Sequence, residues 1–400
     1  MKNINLIGLG ALLLLSVTIF FTQCKKTETI KSHQSTNKTE EISQEVIQKL
    51  QAAGFITSVG LERLEDGYIV EYDIYIPNEV ISKMGKGSVA VQKKASNPTT
   101  KHYRSGSLIT FGWTRHIWIY IDPNFSPYIK TGIDMAIARI NYMNLRLTFE
   151  RTSNASQANI KIWGVASTRN AKGWGEYPSN GNPGTTITLN TNIFRSTDTD
   201  INKESRVMGT ILHELGHNLG FVHTDFMYTS SCAFPENQTD GSERHISGTP
   251  TGASAGSWML ACGPDYTHFT LEDRKALTTL FPFWYPDGSV RRETDKNTVY
   301  VIYGGAKFPI PSTQVLEELY GGWGNVVVVG VNELWIAKSV PRTGSLLREH
   351  HQNTVYYIED GTKRPIPTEA ILYARFGGWG NVKVVPDNTL SALPVGPAIQ

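Results

Sequence analysis

An eleven-residue run near the middle of the chain limits its fold and chemistry more than any other feature. It reads His-Glu-Leu-Gly-His-Asn-Leu-Gly-Phe-Val-His over 213–223, and a helical pattern leads into it. Two histidines four residues apart on a helix project from one face, so His213 and His217 point toward one position. A third histidine on the same helix would lie too far along its axis. Gly220 accepts a left-handed backbone and can end the helix, which returns His223 toward the first two.

Three imidazoles brought together in this way form a set of metal ligands. Neutral imidazole nitrogens at about 2.0–2.1 Å suit Zn²⁺, and a three-ligand site leaves a fourth position open for water, as catalytic zinc sites do. Glu214 stands beside the first histidine, where a carboxylate can take a proton from bound water and return it to a leaving amine. The sequence therefore predicts zinc bound by His213, His217 and His223, with Glu214 as the general base.

The eleven-residue motif is that of the metzincin metallopeptidases, and its surroundings resemble one branch of them. The run 213–225, with His-Ile-Ser-Gly-Thr-Pro at 245–250 and Ser-Trp-Met at 257–259, is similar to the bacterial dual-action HEIGH metallopeptidase family, over roughly 113–283. The resemblance implies a zinc endopeptidase that hydrolyses proteins or peptides. It implies an α+β fold with a mixed twisted sheet, an active-site helix and a methionine turn beneath the metal, which would contain Met259.

Two alternative interpretations remain open. An adamalysin-like peptidase would share the chemistry, but adamalysins have an aspartate directly after the third histidine, whereas Thr224 precedes Asp225 here. A surface binding or adhesion protein with an idle site is the other alternative, and the intact Glu214 argues against it. Asp225 is equally well interpreted as a partner of a ligand ring or as a turn-stabilising residue. Tyr266 resembles a tyrosine that acts after the methionine turn in astacins, although its spacing favours a core residue.

The N-terminal segment has the organisation of an export signal followed by a tether. A basic start and an apolar run shorter than the about 20 residues that span a bilayer predict a signal peptide over 1–23. Cys24 stands where bacterial lipoproteins carry their lipid, and the polar segment 24–45 predicts a tether. We therefore expect an exported protein, either secreted or held at the bacterial cell envelope. Cys232 and Cys262 are then left to form a disulfide in an oxidising compartment.

Hydrophobic patterning divides the following residues into a small and a large unit, both of α+β class. A short amphipathic helix and a strand-like run over 68–76 predict a small pro-like unit at 46–92. Strand and helix patterns predict the metzincin-like peptidase domain at 105–284. In metzincins the substrate adds as a strand to an exposed sheet edge, and 158–163 is the predicted edge.

The C-terminal part of the chain is a tandem duplication. An offset of 56 residues matches 21 of 38 positions between 297 and 334 without a gap. The copies predict two α/β repeats at 297–352 and 353–400, each with two strands, a short helix, a Gly-rich turn and a Val-rich strand. Two units are few for a solenoid, so we expect them to pack on each other or on the peptidase domain.

Charge and aromatic residues limit the expected partners. The 38 Lys and Arg against 36 Asp and Glu give a net charge of +2, which argues against a nucleic-acid partner. Membrane contact is expected only through a lipid anchor. Trp323 and Trp379 follow a Gly-Gly turn in the two repeats and are interpreted as core residues. Exposed tryptophans would instead indicate a cell-wall or carbohydrate ligand.

An acidic residue in the small unit is a candidate latency ligand. The run Val-Glu-Tyr-Asp-Ile over 70–74 is similar to the Gly-Asp-Ile stretch by which astacin pro-segments place an aspartate on the metal, with Tyr72 replacing the glycine. Asp73 would occupy the fourth zinc position at about 2.0–2.2 Å and displace water. Cleavage in the basic stretch 93–104 would release it. The alternative places Asp73 on the solvent face of an ordinary strand.

Overall fold

The computed structural model describes residues 42–84, except 54, 56 and 59, and residues 102–400, except 113, 225–243, 250–255 and 262–265. The predicted signal peptide, Cys24, most of the tether, Asp225, Cys232 and Cys262 lie outside the described residues. Within the described ranges, no helix is both long enough and apolar enough to cross a membrane.

In its described residues, the small N-terminal unit has three strands and two helices. They are α1, Gln44–Ala53; β1, Glu62–Arg63; β2, Gly67–Val70; β3, Ile74–Pro77; and α2, Asn78–Lys83. The antiparallel strands β2 and β3 are joined by residues 71–73, which interrupt the strand-like run predicted over 68–76. Glu71 and Tyr72 both have left-handed backbone conformations, which reverse the chain. Asp73 therefore lies in a hairpin loop and not on the face of a strand.

The large unit combines strands and helices along the whole of its length. Its elements are β4, Tyr103–Arg104; β5, Arg115–Ile121; α3, Pro127–Asn141; β6, Leu147–Thr152; β7, Ile160–Val165; β8, Gly173–Glu176; β9, Thr186–Asn190; α4, Lys203–Leu219; β10, Arg244–His245; and α5, Leu271–Leu280. Strands β5, β6, β7 and β9 are parallel, and β8 is antiparallel to β9. This is the mixed α+β architecture that the sequence predicts.

One sheet of eight strands joins the two units, in the order β1-β2-β3-β8-β9-β7-β5-β6. The predicted edge at 158–163 is wrong, because β7 lies between β5 and β9 in the interior of the sheet. Among the strands of the large unit, β8 is the outermost one on the side of the small unit. Strand β3 covers it in parallel orientation, with Ile74 opposite Gly175 and Tyr75 opposite Glu176.

Helices α3 and α4 pack together and form the main core with the sheet. The buried face of α3 includes the predicted residues Ile129, Ile133, Ala136 and Ile140. Gly132 lies at the helix contact, where a Cβ atom would overlap Val207 of α4. α4 ends at Gly220, whose φ of 103° is the left-handed conformation that the motif predicts. The core therefore fixes the helix that carries His213 and His217.

The C-terminal region contains two four-stranded sheets of the same design. The first copy has β11, Ser289–Glu293; β12, Val299–Tyr303; β13, Ala306–Pro309; α6, Thr313–Tyr320; and β14, Val326–Val329. The second has β15, Leu346–Glu349; β16, Val355–Glu359; β17, Thr362–Pro365; α7, Glu369–Phe376; and β18, Lys383–Val385. Strands β11 and β15 pair within these sheets, so the boundaries predicted at 297 and 353 lie too far along the chain. Short 3₁₀ helices span Trp323–Asn325, Glu333–Ile336 and Trp379–Asn381.

The two copies pack on each other and on the large unit. One apolar cluster contains residues of both sheets, among them Val301 and Leu347. Asn144, after α3, donates from Nδ2 to Gly304 O at 2.8 Å and to Val340 O at 2.7 Å. These contacts attach the repeats directly to the peptidase domain.

The repeat tryptophans lie on the surface. Trp323 is 53% exposed and Trp379 is 43% exposed, so their interpretation as core residues is wrong. Each follows two glycines with positive φ, and this turn directs the indole away from the small core of its sheet.

Candidate active site

The three histidines of the motif converge on one point. His213 Nε2 lies 3.1 Å from His217 Nε2 and 3.2 Å from His223 Nε2. Tetrahedral zinc with Zn–N distances of about 2.0–2.1 Å separates its ligand atoms by about 3.3 Å. The nitrogens therefore already stand at the spacing of zinc ligands, and this donor set fits the metal.

Hydrogen bonds behind the rings orient the two histidines of α4. His213 Nδ1 donates to Trp258 O at 2.8 Å, and His217 Nδ1 donates to Phe221 O at 3.1 Å. A bond at Nδ1 fixes the tautomer and turns Nε2 toward the common centre. Burial lowers the pKa of His217 to about 4, which keeps this ring neutral, as a ligand must be.

The hairpin loop of the small unit brings a carboxylate to the same point. Asp73 Oδ1 lies 3.4 Å from His217 Nε2 and 3.2 Å from His223 Nε2, while Oδ2 lies 3.4 Å from His213 Nε2. These distances resemble those among the nitrogens, so the carboxylate stands at the fourth corner of the ligand set. Burial by itself would raise the pKa of Asp73, but the charge of His223 holds it well below its usual value.

Two residues beside Asp73 shape this loop. Tyr72 has a φ of 78°, a left-handed conformation that favours glycine. Tyr72 therefore adopts a strained backbone conformation in this loop. Glu71 is buried, and its Oε2 lies 3.3 Å from His223 Nδ1. The small unit therefore contacts the ligand set at two carboxylates, of which sequence patterns indicated only Asp73.

Glu214 lies on α4 beside the first ligand and is 2% exposed. Two glycines of β8 permit the helix to approach the strand, since a Cβ at Gly175 would overlap Glu214 O and one at Gly173 would lie only 3.3 Å from Thr210 Cγ2 and 3.4 Å from Glu214 Oε1. Burial raises the pKa of the Glu214 carboxyl well above its usual range, and the charge of Asp73 raises it further. The Glu214 carboxyl group is thus shielded from solvent and close to the ligand set, where a general base would have to lie.

Met259 is fully buried beneath the motif helix. A Cβ at Gly216 would overlap Met259 Sδ, so this glycine of the motif makes room for the methionine. Thr224 N donates to Met259 O at 2.9 Å, which ties the segment after the third histidine to the methionine turn. Met259 therefore packs against the motif helix, and Thr224 is bonded to its carbonyl oxygen.

A buried aspartate that sequence patterns did not indicate holds this turn. Asp273 Oδ1 accepts from Ser257 Oγ at 2.7 Å and lies 2.6 Å from His102 Nε2. Its Oδ2 accepts from Thr270 N at 2.8 Å in the capping box that begins α5. A Thr-x-x-Asp spacing before an apolar helix was the available signal. Asp273 therefore links α5 to the loop that orients His213 through Trp258.

Replacing Asp273 by Ala should lower the free energy of unfolding by about 3–5 kcal/mol, because His102 and Ser257 would lose a buried charged partner. Urea denaturation of the zinc-loaded chain measures the change. Asp134→Ala is the control, since Asp134 pairs with Arg151 at the surface and should matter little. Equal effects of the two substitutions would contradict the structural role of Asp273.

A cavity of 750 Å³ adjoins the ligand set. His213, Glu214 and Trp258 line one side, and Tyr72 of the small unit lines another. Tyr266 also lines it and is half-buried, so the interpretation of this tyrosine as a core residue is wrong. The cavity places a phenol, a carboxyl group and a ligand imidazole around one space that could receive part of a substrate.

Two histidines lie on a helix, a third follows the end of that helix, and a glutamate stands between the first two. This arrangement defines a metallopeptidase class of site. Residues 75–281, just over half of the chain, match the dual-action HEIGH metallo-peptidase family. The chain belongs to this family, which confirms the sequence resemblance, and it is a metallopeptidase. Its cofactor is zinc, the metal that the family and the three imidazoles imply. A comparison with curated proteins finds no match.

Comparison with solved structures finds chains of low sequence identity. One is myroilysin, at 14% identity and a TM-score of 0.30, with 43% of this chain and 95% of that chain covered. Another is high choriolytic enzyme 1, a hatching enzyme zinc-protease from the medaka fish Oryzias latipes, at 18% identity and a TM-score of 0.27, with 48% of this chain and 98% of that chain covered.

Proposed function

We propose that the chain is a zinc endopeptidase that its own N-terminal unit keeps latent. The observation that carries the activity is the convergence of three imidazole nitrogens, with His213 Nε2 3.1 Å and 3.2 Å from the other two and Glu214 buried beside them. His213, His217 and His223 would hold the metal. Bound zinc polarises the scissile carbonyl and lowers the pKa of a bound water. Glu214 takes a proton from the attacking water and delivers it to the leaving amine.

The edge of β8 supports the binding of extended peptides. β3 pairs with β8 through main-chain hydrogen bonds, among them Gly175 N to Asp73 O at 3.0 Å and Tyr177 N to Tyr75 O at 3.0 Å. These donors become available when β3 leaves. A substrate strand that adds here is held by its backbone, whatever its sequence, and passes the ligand set.

Latency is supported by two contacts of the same unit. Asp73 stands at the fourth corner of the ligand set, and β3 covers the strand edge. The small unit therefore blocks both the position of the attacking water and the position of the substrate strand. Cleavage in the stretch 93–104, most of which lies outside the described residues, separates this unit from the peptidase domain.

Export and surface attachment extend the proposal. An export signal at 1–23 and a lipid on Cys24 would hold the enzyme at the cell envelope through the tether. Cys232 and Cys262 would form a disulfide that encloses the segment before Met259 and contributes about 3–4 kcal/mol by the loop-entropy estimate. Intact-mass measurement after alkylation without reduction tests the disulfide, and alkylation of both thiols would contradict it.

The repeats are proposed to bind a cell-wall or carbohydrate ligand. Exposed Trp379 lines a cavity of 550 Å³ with Arg348, Asn353, Val382 and Val384. All five residue types recur 56 positions earlier, in the first copy, around exposed Trp323. An indole face beside amide and guanidinium groups suits a sugar ring. Co-sedimentation with insoluble polysaccharides tests this, and binding that survives the double change of both tryptophans to Ala would contradict it.

A peptide library tests the proposed activity. The full chain is loaded with zinc, cleaved by limited trypsin treatment in 93–104, and incubated with proteome-derived peptides with and without a chelator. We expect cuts inside the peptides that disappear with the chelator and return with added zinc. Absence of any zinc-dependent cut, before and after trypsin treatment, would contradict an endopeptidase.

A further inference from the structure

A half-buried arginine lines the cavity next to the ligand set. Arg169 belongs to the loop between β7 and β8, and its side chain is 13% exposed. It shares the 750 Å³ cavity with His213 and Glu214. An arginine remains charged at any pH at which the enzyme would work. A fixed positive charge therefore lies beside the space that a substrate would enter.

The position of this charge is fixed by the surrounding structure. The guanidinium carbon of Arg169 lies 5.4 Å from the centre of the Trp174 ring, and Trp174 is buried in β8. Asn190 of β9 is fully buried and donates from Nδ2 to Arg169 O at 3.0 Å and to Ala171 O at 3.1 Å. Its Oδ1 accepts from Ser167 N at 3.2 Å. The loop is thus anchored to the sheet at three backbone groups, and Arg169 is not a freely moving surface side chain.

In the latent chain this arginine is matched by a carboxylate of the small unit. Glu62 Oε1 of β1 lies 2.7 Å from Arg169 Nη2. Nη1 and Nη2 of Arg169 are both buried, and neither makes a hydrogen bond within the described part of the chain, so the contact with Glu62 is one of charge. The unit that brings Asp73 to the metal ligands therefore also covers the arginine with an acid. When that unit leaves, a largely buried guanidinium loses its carboxylate partner, which is unfavourable until another acid replaces it.

We propose that Arg169 binds an acidic side chain of the substrate, and that Glu62 occupies this place in the latent chain. The proposal rests on the proposed peptidase function and names its substrate class, peptides with Glu or Asp close to the scissile bond. A guanidinium pairs with a carboxylate through two parallel hydrogen bonds, and both Nη1 and Nη2 lack a hydrogen-bond partner in the described structure. Lys172 lines the same cavity and adds positive charge. Asn190 acts as a positioning residue for the loop.

Matched peptides test this specificity. The full chain, zinc-loaded and cleaved by trypsin in 93–104, is given pairs of quenched peptides that differ only by Glu or Gln at one position, scanned along both sides of the cut. We expect kcat/KM to be about 10- to 100-fold higher for the Glu peptide at one position. Arg169→Gln should remove the preference, and Arg169→Glu should reverse it toward Lys. Arg151→Gln, which changes an exposed arginine of β6, should retain it.

Binding without turnover separates this proposal from the activity itself. The Glu214→Gln variant, treated in the same way, is titrated with fluorescent Glu and Gln peptides, and anisotropy gives Kd. A Kd about 10- to 100-fold lower for the Glu peptide, lost with Arg169→Gln, supports the proposal even when no peptide is cut, in which case the peptidase function is what fails. Equal Kd values for the two peptides, or a preference that survives Arg169→Gln, overturn it.

Discussion

Glu214→Gln is expected to leave zinc bound and to lower kcat at least about 100-fold. Gln has the size and shape of Glu, so the buried space between α4 and β8 stays filled and the three imidazoles keep their places. The amide cannot accept the proton that the attacking water must lose. Zinc per chain, measured by mass spectrometry of the metal, and kcat on a peptide from the library are the two readouts.

Two further substitutions on α4 serve as controls for this result. Glu204→Gln alters a carboxylate in the first turn of α4, far along the helix from the motif, and should change neither readout. His217→Ala removes one of three ligands and should lose both zinc and activity. If Glu214→Gln retains near wild-type kcat, the assignment of the general base is wrong.

Asp73→Ala is expected to raise the activity of the uncleaved chain at least about tenfold, because a carboxylate that competes with water at the metal is removed. Initial rates on one peptide are compared for the full chain, the Asp73→Ala chain and the trypsin-treated chain. Glu79→Ala is the control, since Glu79 lies on α2 of the same unit and pairs only with exposed Lys83 in the described structure.

Comparison of the three rates shows whether Asp73 inhibits the enzyme or only lies close to the site. Asp73→Ala should approach the rate of the trypsin-treated chain to the extent that the carboxylate, rather than strand β3, blocks the site. Intact mass at the end of each assay verifies that the chain under test has not been cut. A wild-type full chain as active as both others would show that Asp73 does not restrain the enzyme.

Local sequence predicted the part of the site that lies on one short segment. His213, His217 and Glu214 follow from helical spacing, and Gly220 ends the helix in the left-handed conformation that its lack of a Cβ permits. His223 follows from that turn. The position of Met259 came from the family resemblance, since an apolar residue in a Gly/Ser-rich loop carries no such signal by itself.

The remaining parts of the site depend on contacts between distant segments. β8 reads Gly-Trp-Gly-Glu, which resembles a loop because its glycines serve close packing on α4 rather than strand propensity. The sequence therefore points to 158–163 as the edge, although its alternating residues are typical of any strand, central or not. The pairing of Glu62 with Arg169 joins two units, and no periodicity within either segment indicates it.

Anomalous diffraction at the zinc edge from crystals of the zinc-loaded, uncleaved chain tests the central claim most directly. The account predicts one strong peak within about 2.0–2.1 Å of Nε2 of His213, His217 and His223, with an Asp73 oxygen at about 2.0–2.2 Å as the fourth ligand. A zinc ion bound elsewhere would contradict the assigned site. Zinc on the three histidines with solvent in the fourth position and Asp73 turned away would contradict the latency.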